Sequence, residues 1–352
     1  MTEYRNILVY AMVNLGDVVL TTSAIALLKE IYPDARITML SRPIVREVIE
    51  RNPVIDDVIL FVYKAKQNSM GRMWAMVREL RARKFDLAIS FDRKLRPALL
   101  CLFAGIPVRV GPSRVFEDKP SRVTWLYTHT VPIAHDLENT LQAETYQEII
   151  RGFTGAQGHG RPVLPAPSTA ECAKAATILS SAGTRHKIGL CVKGTFGLKT
   201  WPKAYFAEVV RALHARYDAA FYLTGAPGDY AYAEEVIDAI GLPVENLCGK
   251  TNLMELAALY AQLDLLVTVD TGGAHIAAVT GVPMVVMFGC TSPRRWHPIS
   301  EHARAFTSNE PCCPCTYRET ECPSYPQPNC LYHVLPAVVT EACISYLEHD
   351  AE

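Results

Sequence analysis

The amino-acid sequence predicts an α/β protein with two domains, each built on a parallel sheet. Short apolar runs rich in Val, Ile and Leu alternate with helical segments in both halves of the chain. The chain has 352 residues, more than one hydrophobic core usually organises. A Gly- and Pro-rich stretch at 154–168 separates the halves. We therefore predict an N-terminal domain at 1–160, a C-terminal domain at 169–335 and a last helix at 336–352.

In the N-terminal half, the apolar run at 6–13 is predicted to be the first buried strand. A turn at 14–17 follows it and opens a helix at 18–32. Further elements are then expected at 37–40 (strand), 44–51 (helix), 57–61 (strand), 70–83 (helix), 87–91 (strand), from 96 (helix) and at 108–110 (strand). The polar interval 112–132 is predicted to be a surface loop, and 137–152 to be a helix.

The second half of the chain repeats this design. Its elements are predicted at 169–182 (helix), 187–192 (strand), 203–217 (helix), 220–224 (strand), 230–240 (helix), 244–247 (a short extended segment) and 253–263 (helix). A cysteine-rich segment at 312–330 then precedes the last helix.

A βαβ unit near the end of the second half carries the most specific local signal. A β-branched strand at 265–269 runs into Asp270-Thr271-Gly272-Gly273, a helix follows at 274–280, and a second strand is predicted at 284–288. The turn falls at the carboxyl end of the first strand, where open α/β sheets bind ligands. The N–H groups at the helix start are therefore predicted to bind a phosphate. Simple helix capping by this turn is the alternative.

The composition excludes several classes of protein. Hydrophobic residues make up 49% of the chain and the formal net charge is −1, which argues against a protein that coats nucleic acid. No apolar run reaches about 18 residues, and the N-terminal run lacks a signal-peptide cleavage pattern. We therefore expect a soluble, cytoplasmic protein. Six of the eleven cysteines are scattered along the chain, which fits reduced core thiols better than a secreted disulfide framework.

Two motifs resemble those of the bacterial ADP-heptose:lipopolysaccharide heptosyltransferases, glycosyltransferase family 9. One is D-T-G-x-x-H, which starts at Asp270 and is continued by F-G-x-T-x-P as far as Pro293. The other is N-L-G-D-V-V-L-T-T, which contains Asp17. The resemblance implies a GT-B fold, in which two Rossmann-like parallel-sheet domains face each other across a cleft. It also implies an inverting sugar transfer.

The Asp of the N-terminal motif is the catalytic base in that family, so the resemblance assigns Asp17 to this role. Asp17 would take the proton of the acceptor hydroxyl as that hydroxyl attacks the donor sugar. From the residue pattern alone, Asp17 could instead complement the dipole of the helix it opens. The chain departs from the family just before this motif. Tyr10, Met12 and Val13 occupy a strand that often carries a basic residue, so the way an anionic acceptor is held stays open.

A second loop, KGTFGLKTWP at 193–202, follows a predicted strand. It is not a Walker A loop, because Leu198 and not Gly precedes Lys199. The resemblance places the donor diphosphate against Thr195, Lys199, Asp270, Thr271, Gly272 and His275. Charge-assisted contacts from Lys199 would stabilise the departing diphosphate. The alternative is a solvated lysine loop.

Two further residues are assigned to the nucleoside by the same resemblance. Asp229, in the loop GAPGD at 225–229, aligns with the loop near the ribose, and Thr251 aligns with the base-binding segment. An Asp in a P-G-D turn is otherwise a common turn former.

The function implied by the resemblance is heptose transfer from ADP-L-glycero-D-manno-heptose to a lipopolysaccharide inner-core acceptor of the Kdo-lipid A type. Such an acceptor implies peripheral contact with the cytoplasmic surface of the inner membrane, and no nucleic acid is involved. The chain has no D-x-D metal motif, so we expect metal-independent chemistry without a cofactor. Another donor sugar or a protein acceptor within the same family is an alternative.

Two other classes of protein also remain open. One is a sugar-nucleotide epimerase on the same fold, and the other is a catalytically silent nucleotide-binding protein in which Asp17 only stabilises its helix. A nicotinamide dehydrogenase is disfavoured, because no G-x-G-x-x-G follows the first strand of either domain.

The cysteine-rich segment is poor in apolar residues and dense in Pro, so we expect something beyond hydrophobic packing to order it. The spacing C-x2-C-x6-C-x7-C fits a structural zinc or iron site formed by Cys312, Cys315, Cys322 and Cys330. Free thiols or a disulfide are the alternatives.

Overall fold

The computed structural model divides into two compact units, Met1–Ala166 and Pro167–Glu352. It describes residues 3–62, 69–92, 94–114, 122–133, 139–180, 186–315 and 319–349. Each unit contains one parallel six-stranded sheet with helices packed on it, which confirms the predicted α/β class with two Rossmann-like sheets. Within these described ranges, no helix has the length and apolar character needed to cross a membrane.

The sheet of the first unit has the strand order β3-β2-β1-β4-β5-β6. Its strands are β1 (Asn6–Tyr10), β2 (Arg36–Ser41), β3 (Asp57–Leu60), β4 (Leu87–Ser90), β5 (Val108–Pro112) and β6 (His129–Val131). The four residues Ile7–Tyr10 are fully buried, as expected for a central parallel strand that is covered on both faces.

Five helices belong to this first sheet: α1 (Leu15–Ile31), α2 (Arg46–Ile49), α3 (Ser69–Ala82), α4 (Leu95–Phe103) and α5 (Gln142–Thr154). The chain steps outward from β1 to β3 and then returns to β4 and β5. Because such crossovers are right-handed, α1 and α2 cover one face of the sheet, whereas α3 and α4 cover the other. The order reverses between β1 and β4, and this reversal marks the ligand-binding end of such a sheet.

The Gly- and Pro-rich stretch after α5 is packed against the first unit. Val163 donates its N–H to Thr22 Oγ1 at 2.8 Å, and its carbonyl accepts a bond from Asn52 Nδ2 at 2.8 Å. At Gly160 a Cβ would lie 2.0 Å from the carbonyl oxygen of Ser23, so this close approach requires glycine. The predicted linker is therefore held on α1 over most of its length.

The sheet of the second unit has the order β12-β11-β10-β7-β8-β9. Its strands are β7 (His186–Cys191), β8 (Ala219–Leu223), β9 (Glu245–Asn246), β10 (Leu265–Val269), β11 (Met284–Met287) and β12 (Ala303–Phe306). Its helices are α6 (Thr169–Ser180), α7 (Lys203–Arg216), α8 (Tyr230–Ile240), α9 (Leu253–Tyr260), α10 (Gly272–Thr280), α11 (Pro293–Trp296), α12 (Asn329–Tyr332) and α13 (Pro336–His349).

The last helix, α13, belongs to the core of the second unit. Its residues Val339, Cys343 and Leu347 are buried in the cluster that also contains Trp201, and α13 packs on α7. Trp201 is fully buried and donates its indole N–H to the carbonyl of Val334 at 3.0 Å. These contacts couple the C-terminal helix to the loop that precedes α7.

Several elements differ from the sequence-based expectations. Strand β6 lies within the interval predicted as a loop, and β12 was not predicted at all. Both are short edge strands with polar or charged residues, so they lack the apolar run by which the other strands are recognised. The helix predicted at 44–51 is a 3-10 turn at Pro43–Val45 followed by the single turn of α2.

Candidate functional site

The candidate donor site lies at the carboxyl edge of the second sheet. Strands β7 and β10 are hydrogen-bonded neighbours in parallel register, with Cys191 beside Thr268. The loops that follow these strands therefore leave the sheet at the same edge. This topology brings the loop 193–202 next to the turn that begins at Asp270, although about 70 residues separate them in sequence.

A salt bridge joins these two loops. Lys199 Nζ lies 2.6 Å from Asp270 Oδ2, and the hydroxyl of Thr291 donates to the same oxygen at 2.7 Å. The Asp270 side chain is buried and that of Lys199 is mostly so, which weakens screening by water. The ammonium and the carboxylate are thus held in fixed positions before any ligand binds. Thr291 belongs to the F-G-x-T-x-P motif, but its role was not predictable from the sequence.

Two glycines fix the shape of the loop that carries Lys199. A Cβ on Gly194 would lie 2.4 Å from the Cβ of Lys199 and 2.6 Å from its carbonyl oxygen. A Cβ on Gly289, just after β11, would lie 2.2 Å from the carbonyl oxygen of Leu198. The loop packs so closely on itself and on the neighbouring strand end that no side chain fits at either glycine. Thr195, the other predicted diphosphate contact here, is exposed on the same loop.

Helix α10 begins at this edge with Gly272 and Gly273 in its first turn. Its N-cap residue, Thr271, has extended backbone but makes no side-chain cap bond, and its hydroxyl lies 3.7 Å from Cys191 Sγ. The side chain therefore leaves the first-turn N–H groups uncapped. Together with the helix dipole, such N–H groups favour an anion. The structure thus brings Thr271 and Gly272 into the same region as Lys199 and Asp270.

His275 is the predicted contact that lies deepest, with 4% of its surface exposed. Its Nδ1 atom is buried, and no residue in the described part of the chain hydrogen-bonds to it. Burial lowers the pKa of His275 to about 4; nearby Lys199 and His297 also lower it, whereas Asp270 opposes the shift. The ring is therefore neutral at pH 7. A neutral ring can exchange a hydrogen bond with a ligand but does not add positive charge.

The two predicted nucleoside residues lie on adjacent loops. Gly249, at φ +74°, packs on Pro227 and donates its N–H to the carbonyl of Gly225 at 3.0 Å, which ties the loop before Thr251 to the loop of Asp229. Asp229 Oδ2 accepts the N–H of Ala226 at 3.0 Å, as a turn former does. Its other oxygen, Oδ1, lies 3.1 Å from Lys193 Nζ. Both roles considered from the sequence are therefore compatible with this geometry.

Asp17 lies in the first unit, in the first turn of α1, where the strand order of that sheet reverses. It is partly buried, and the hydroxyl of Tyr146 donates to its Oδ1 at 2.8 Å. Tyr146 comes from α5 and packs on the ring of Phe91, with centroids 5.2 Å apart. Sequence reasoning missed Tyr146, because it lies 129 residues from Asp17 and has the spacing of an ordinary core residue of its helix.

The four cysteines predicted to bind a metal do not form one group. Cys312 is exposed, and Cys322 Sγ lies 3.7 Å from the hydroxyl of Ser324. Throughout the described ranges, no three His, Cys, Asp or Glu side chains are arranged to hold a metal ion. This arrangement does not fit a tetrahedral site made from the predicted set, and binding a metal there would require these side chains to move.

Cys313, which the prediction left out of the set, instead points inward. Its thiol donates to the carbonyl of Gly289 at 2.7 Å and hydrogen-bonds with the thiol of Cys330. The N–H of Cys315 donates to the carbonyl of Cys290 at 2.8 Å. These contacts hold Cys313 and Cys315 against the residues that follow β11.

Comparisons with known proteins show which family the chain resembles. The family model described as glycosyltransferase family 9 (heptosyltransferase) matches residues 73–325. Lipopolysaccharide heptosyltransferase 3 of Escherichia coli is 28% identical over 344 residues, which cover 94% of this chain and 96% of the relative.

Two solved structures share the fold over nearly the whole chain. A family 9 glycosyl transferase from Veillonella parvula gives a TM-score of 0.84 at 23% identity and covers 99% of both chains. The Escherichia coli ADP-heptose lps heptosyltransferase II gives a TM-score of 0.77 at 23% identity, covering 99% of this chain and 100% of its own.

Proposed function

Because this chain belongs to glycosyltransferase family 9, the heptosyltransferase family, we propose that it transfers heptose from ADP-L-glycero-D-manno-heptose to an inner-core acceptor of lipopolysaccharide. Membership makes the chain a glycosyltransferase, and its structural neighbours give it the predicted GT-B fold. The names of the Escherichia coli relatives, which include lipopolysaccharide and ADP-heptose, support the choice of donor and acceptor.

The observation that carries the proposal is the convergence on one edge of the second sheet. A mostly buried lysine, held by Asp270, lies beside the uncapped start of α10. The diphosphate of a nucleotide sugar carries two negative charges. The Lys199 ammonium and the start of α10 both attract anionic oxygen. When the sugar leaves, negative charge grows on the terminal phosphate of the diphosphate. Lys199 and the N–H groups of Gly272 and Gly273 are fixed in advance to stabilise that charge.

In the proposed reaction an acceptor hydroxyl attacks the anomeric carbon of the heptose on the face opposite the diphosphate. The new carbon–oxygen bond forms as the bond to the diphosphate breaks, so ADP leaves with the bonding electrons and the configuration inverts. Asp17 accepts the proton of the attacking hydroxyl. The hydrogen bond from Tyr146 to Oδ1 orients the carboxylate, and its lone pairs can then face the acceptor.

The remaining roles follow from the same proposal. Asp229 accepts hydroxyls of the ribose once Lys193 releases Oδ1, and Thr251 contacts the base. Neutral His275 contacts the diphosphate and has no part as a base. The reaction takes place in the cytoplasm, at the surface of the inner membrane where the lipid-anchored acceptor is held. The chemistry needs no metal, because the ammonium and the helix start provide the positive charge.

The direct test is to incubate the protein with ADP-heptose and Kdo-lipid A, measuring ADP release and the mass of the product. We expect both ADP and a heptosylated product. Asp17→Asn should abolish turnover and leave ADP affinity near that of the wild type. Asp34→Asn, an exposed Asp just beyond the other end of α1, is the matched control and should remain active. ADP release from none of a panel of nucleotide sugars would refute the proposal.

A further inference from the structure

Helix α4 is apolar on both of its faces. Pro97, Ala98, Leu100 and Cys101 are buried toward the first sheet, as the inner face of such a helix should be. The outer face carries Leu95, Arg96, Leu99, Leu102 and Phe103, so four of its five side chains are apolar. A helix that is hydrophobic all round is normally covered on both sides. Leu95 is nevertheless 48% exposed and Phe103 is 46% exposed.

The neighbouring helix extends this apolar surface. Trp74 of α3 is 51% exposed and lies against the ring of Phe103, with centroids 5.7 Å apart. Met70, Trp74, Arg78 and Arg81 share one flank of α3 at helical spacing, and all four are exposed. Arg81 Nη2 donates to the carbonyl of Phe103 at 2.5 Å, which joins this flank to the end of α4.

A third aromatic side chain lies beyond the far edge of α4. The turn Thr124–Leu126 packs on α4 through Leu126, which contacts the cluster that includes Ala98 and Leu99. Trp125, within this turn, is 75% exposed. We call the outer surface formed by α3, α4 and this turn the α3–α4 face. It presents the side chains of Met70, Trp74, Leu95, Phe103 and Trp125 to solvent, whereas Leu99 and Leu102 pack against the cluster that contains Leu126.

The charge of the α3–α4 face decides what covers it. Helices α3 and α4 together contain four arginines and one glutamate, whereas the whole chain has a formal net charge of −1. Glu79 is also paired with Arg83 at 3.0 Å. Exposed tryptophan and aliphatic residues among arginines have the composition of a surface that inserts shallowly into an anionic bilayer. Tryptophan is favoured at headgroup depth, and arginine binds lipid phosphates.

We propose that the α3–α4 face binds the surface of an anionic membrane, with Trp74, Phe103 and Leu95 entering the headgroup region and Arg78 and Arg81 binding lipid phosphates. The contact is peripheral, because the face lies along two short helices. This membrane contact rests on the proposed function in one respect: it would bring the enzyme to a lipid-anchored acceptor. Binding itself depends on neither donor nor catalysis.

The test is co-sedimentation of the full chain with vesicles of phosphatidylglycerol and phosphatidylethanolamine, compared with vesicles of phosphatidylcholine alone. The wild type should bind the anionic vesicles at least about tenfold more tightly, and added salt should weaken this binding. Trp74→Ser/Phe103→Ser should lose about tenfold or more in affinity. Arg78→Gln should lose less and should also reduce the salt dependence.

The matched control is Leu335→Ser/Val338→Ser, which removes two apolar side chains of similar exposure from the second unit. It should bind vesicles like the wild type. Transfer to a soluble, deacylated acceptor should be unchanged in Trp74→Ser/Phe103→Ser, and transfer to a vesicle-embedded acceptor should fall. If the proposed donor or acceptor is wrong, both transfers fail in the wild type while vesicle binding persists.

Three results would overturn the inference. One is equal vesicle affinity of the wild type and Trp74→Ser/Phe103→Ser. Another is equal affinity of the wild type for anionic and zwitterionic vesicles. The third is a wild-type dimer in sedimentation velocity that Trp74→Ser/Phe103→Ser converts to monomer without any vesicle binding, because the face would then join two copies of the chain.

Discussion

At the scale of single residues, the candidate donor site depends on one carboxylate oxygen. Asp270 Oδ2 accepts hydrogen bonds from the ammonium of Lys199 and from the hydroxyl of Thr291. A buried lysine without this carboxylate would be held less firmly, and a buried carboxylate without the lysine would carry an uncompensated charge. The roles of the three side chains can be separated by substituting the two donors one at a time.

Lys199→Ala should lower kcat and raise KM for the donor together, because the ammonium meets charge that increases in the transition state. A loss of about 2–4 kcal/mol of transition-state stabilisation is typical for one such contact. Steady-state kinetics with the donor varied will measure it. Lys203→Ala is the control, since Lys203 is exposed and pairs with Glu235 in a surface salt bridge. Activity of Lys199→Ala within about twofold of the wild type would remove this loop from the site.

Thr291→Val should lower kcat/KM by an amount that corresponds to roughly 1–2 kcal/mol of transition-state stabilisation. Asp270 loses a hydrogen-bond donor, whereas Val has nearly the same volume as Thr. Thr291→Ser keeps the hydroxyl and should restore most of the activity, whereas a purely steric role of Thr291 would make Ser the poorer substitute. The measurement is the same kinetic assay, with urea unfolding to show that both variants fold.

At the scale of elements, the tight closure of the loop 193–202 depends on glycine. Gly289→Ala would place a Cβ 2.2 Å from the carbonyl oxygen of Leu198, a backbone atom that cannot move without displacing Lys199. We expect a loss of stability of about 1–3 kcal/mol and weaker donor binding. Gly228→Ala is the control for stability alone, because nothing lies within 4 Å of its Cβ position but it adjoins Asp229 of the proposed nucleoside loop. Urea unfolding measures the loss of stability, and calorimetry measures the affinity for ADP. Unchanged ADP affinity of Gly289→Ala would show that donor binding does not depend on the position of this loop.

The central elements of both sheets were predictable, and the peripheral ones were not. The run Leu265–Val269 is apolar throughout, since the strand is buried on both faces, and the turn after it has an unambiguous helix start. The strand His129–Val131 gives no such signal, because two of its three residues are exposed at a sheet edge. Tyr146 was not predictable as a partner of Asp17, since contacts between distant segments leave no periodic trace in a single sequence.

In the cysteine-rich segment, residue spacing likewise did not predict which side chains lie together. C-x2-C spacing suggested Cys312 as a ligand, but the neighbouring Cys313 is the thiol that contacts Cys330 and Gly289. Which of two adjacent side chains points inward depends on how the segment docks on β11, and residue spacing does not encode that docking. Elemental analysis of protein purified without chelator tests the metal prediction, and a bound equivalent of zinc or iron would mean that these side chains rearrange on binding.

At the scale of the whole molecule, burial of His275 links folding to pH. Its pKa is about 4 in the native protein against an ordinary value of 6.5, so the unfolded chain binds a proton at pH values where the native chain does not. As pH falls from 6.5 toward 4, this difference should lower the free energy of unfolding by up to about 1.4 kcal/mol per pH unit. Well above pH 6.5, where neither the unfolded nor the native chain binds this proton, the residue should contribute no pH dependence.

Urea unfolding at several pH values, followed by hydrogen exchange of the β10 and β11 amides, will measure this slope. His275→Gln should flatten the profile between pH 4 and 6.5, because glutamine does not titrate. A slope that is the same in both proteins would assign the acid sensitivity of this unit to other groups.

The packing of the stretch after α5 also sets the length of the chain segment that joins the two units. The stretch is bound to α1 as far as Val163, and Ser168 is anchored to the first turn of α6 by reciprocal bonds with Glu171. The tether between these anchors is Leu164-Pro165-Ala166-Pro167, four residues of which two are proline. So short and stiff a tether spans only about 3 Å per residue. Each of the two prolines fixes its own φ, so the tether can adopt few backbone conformations.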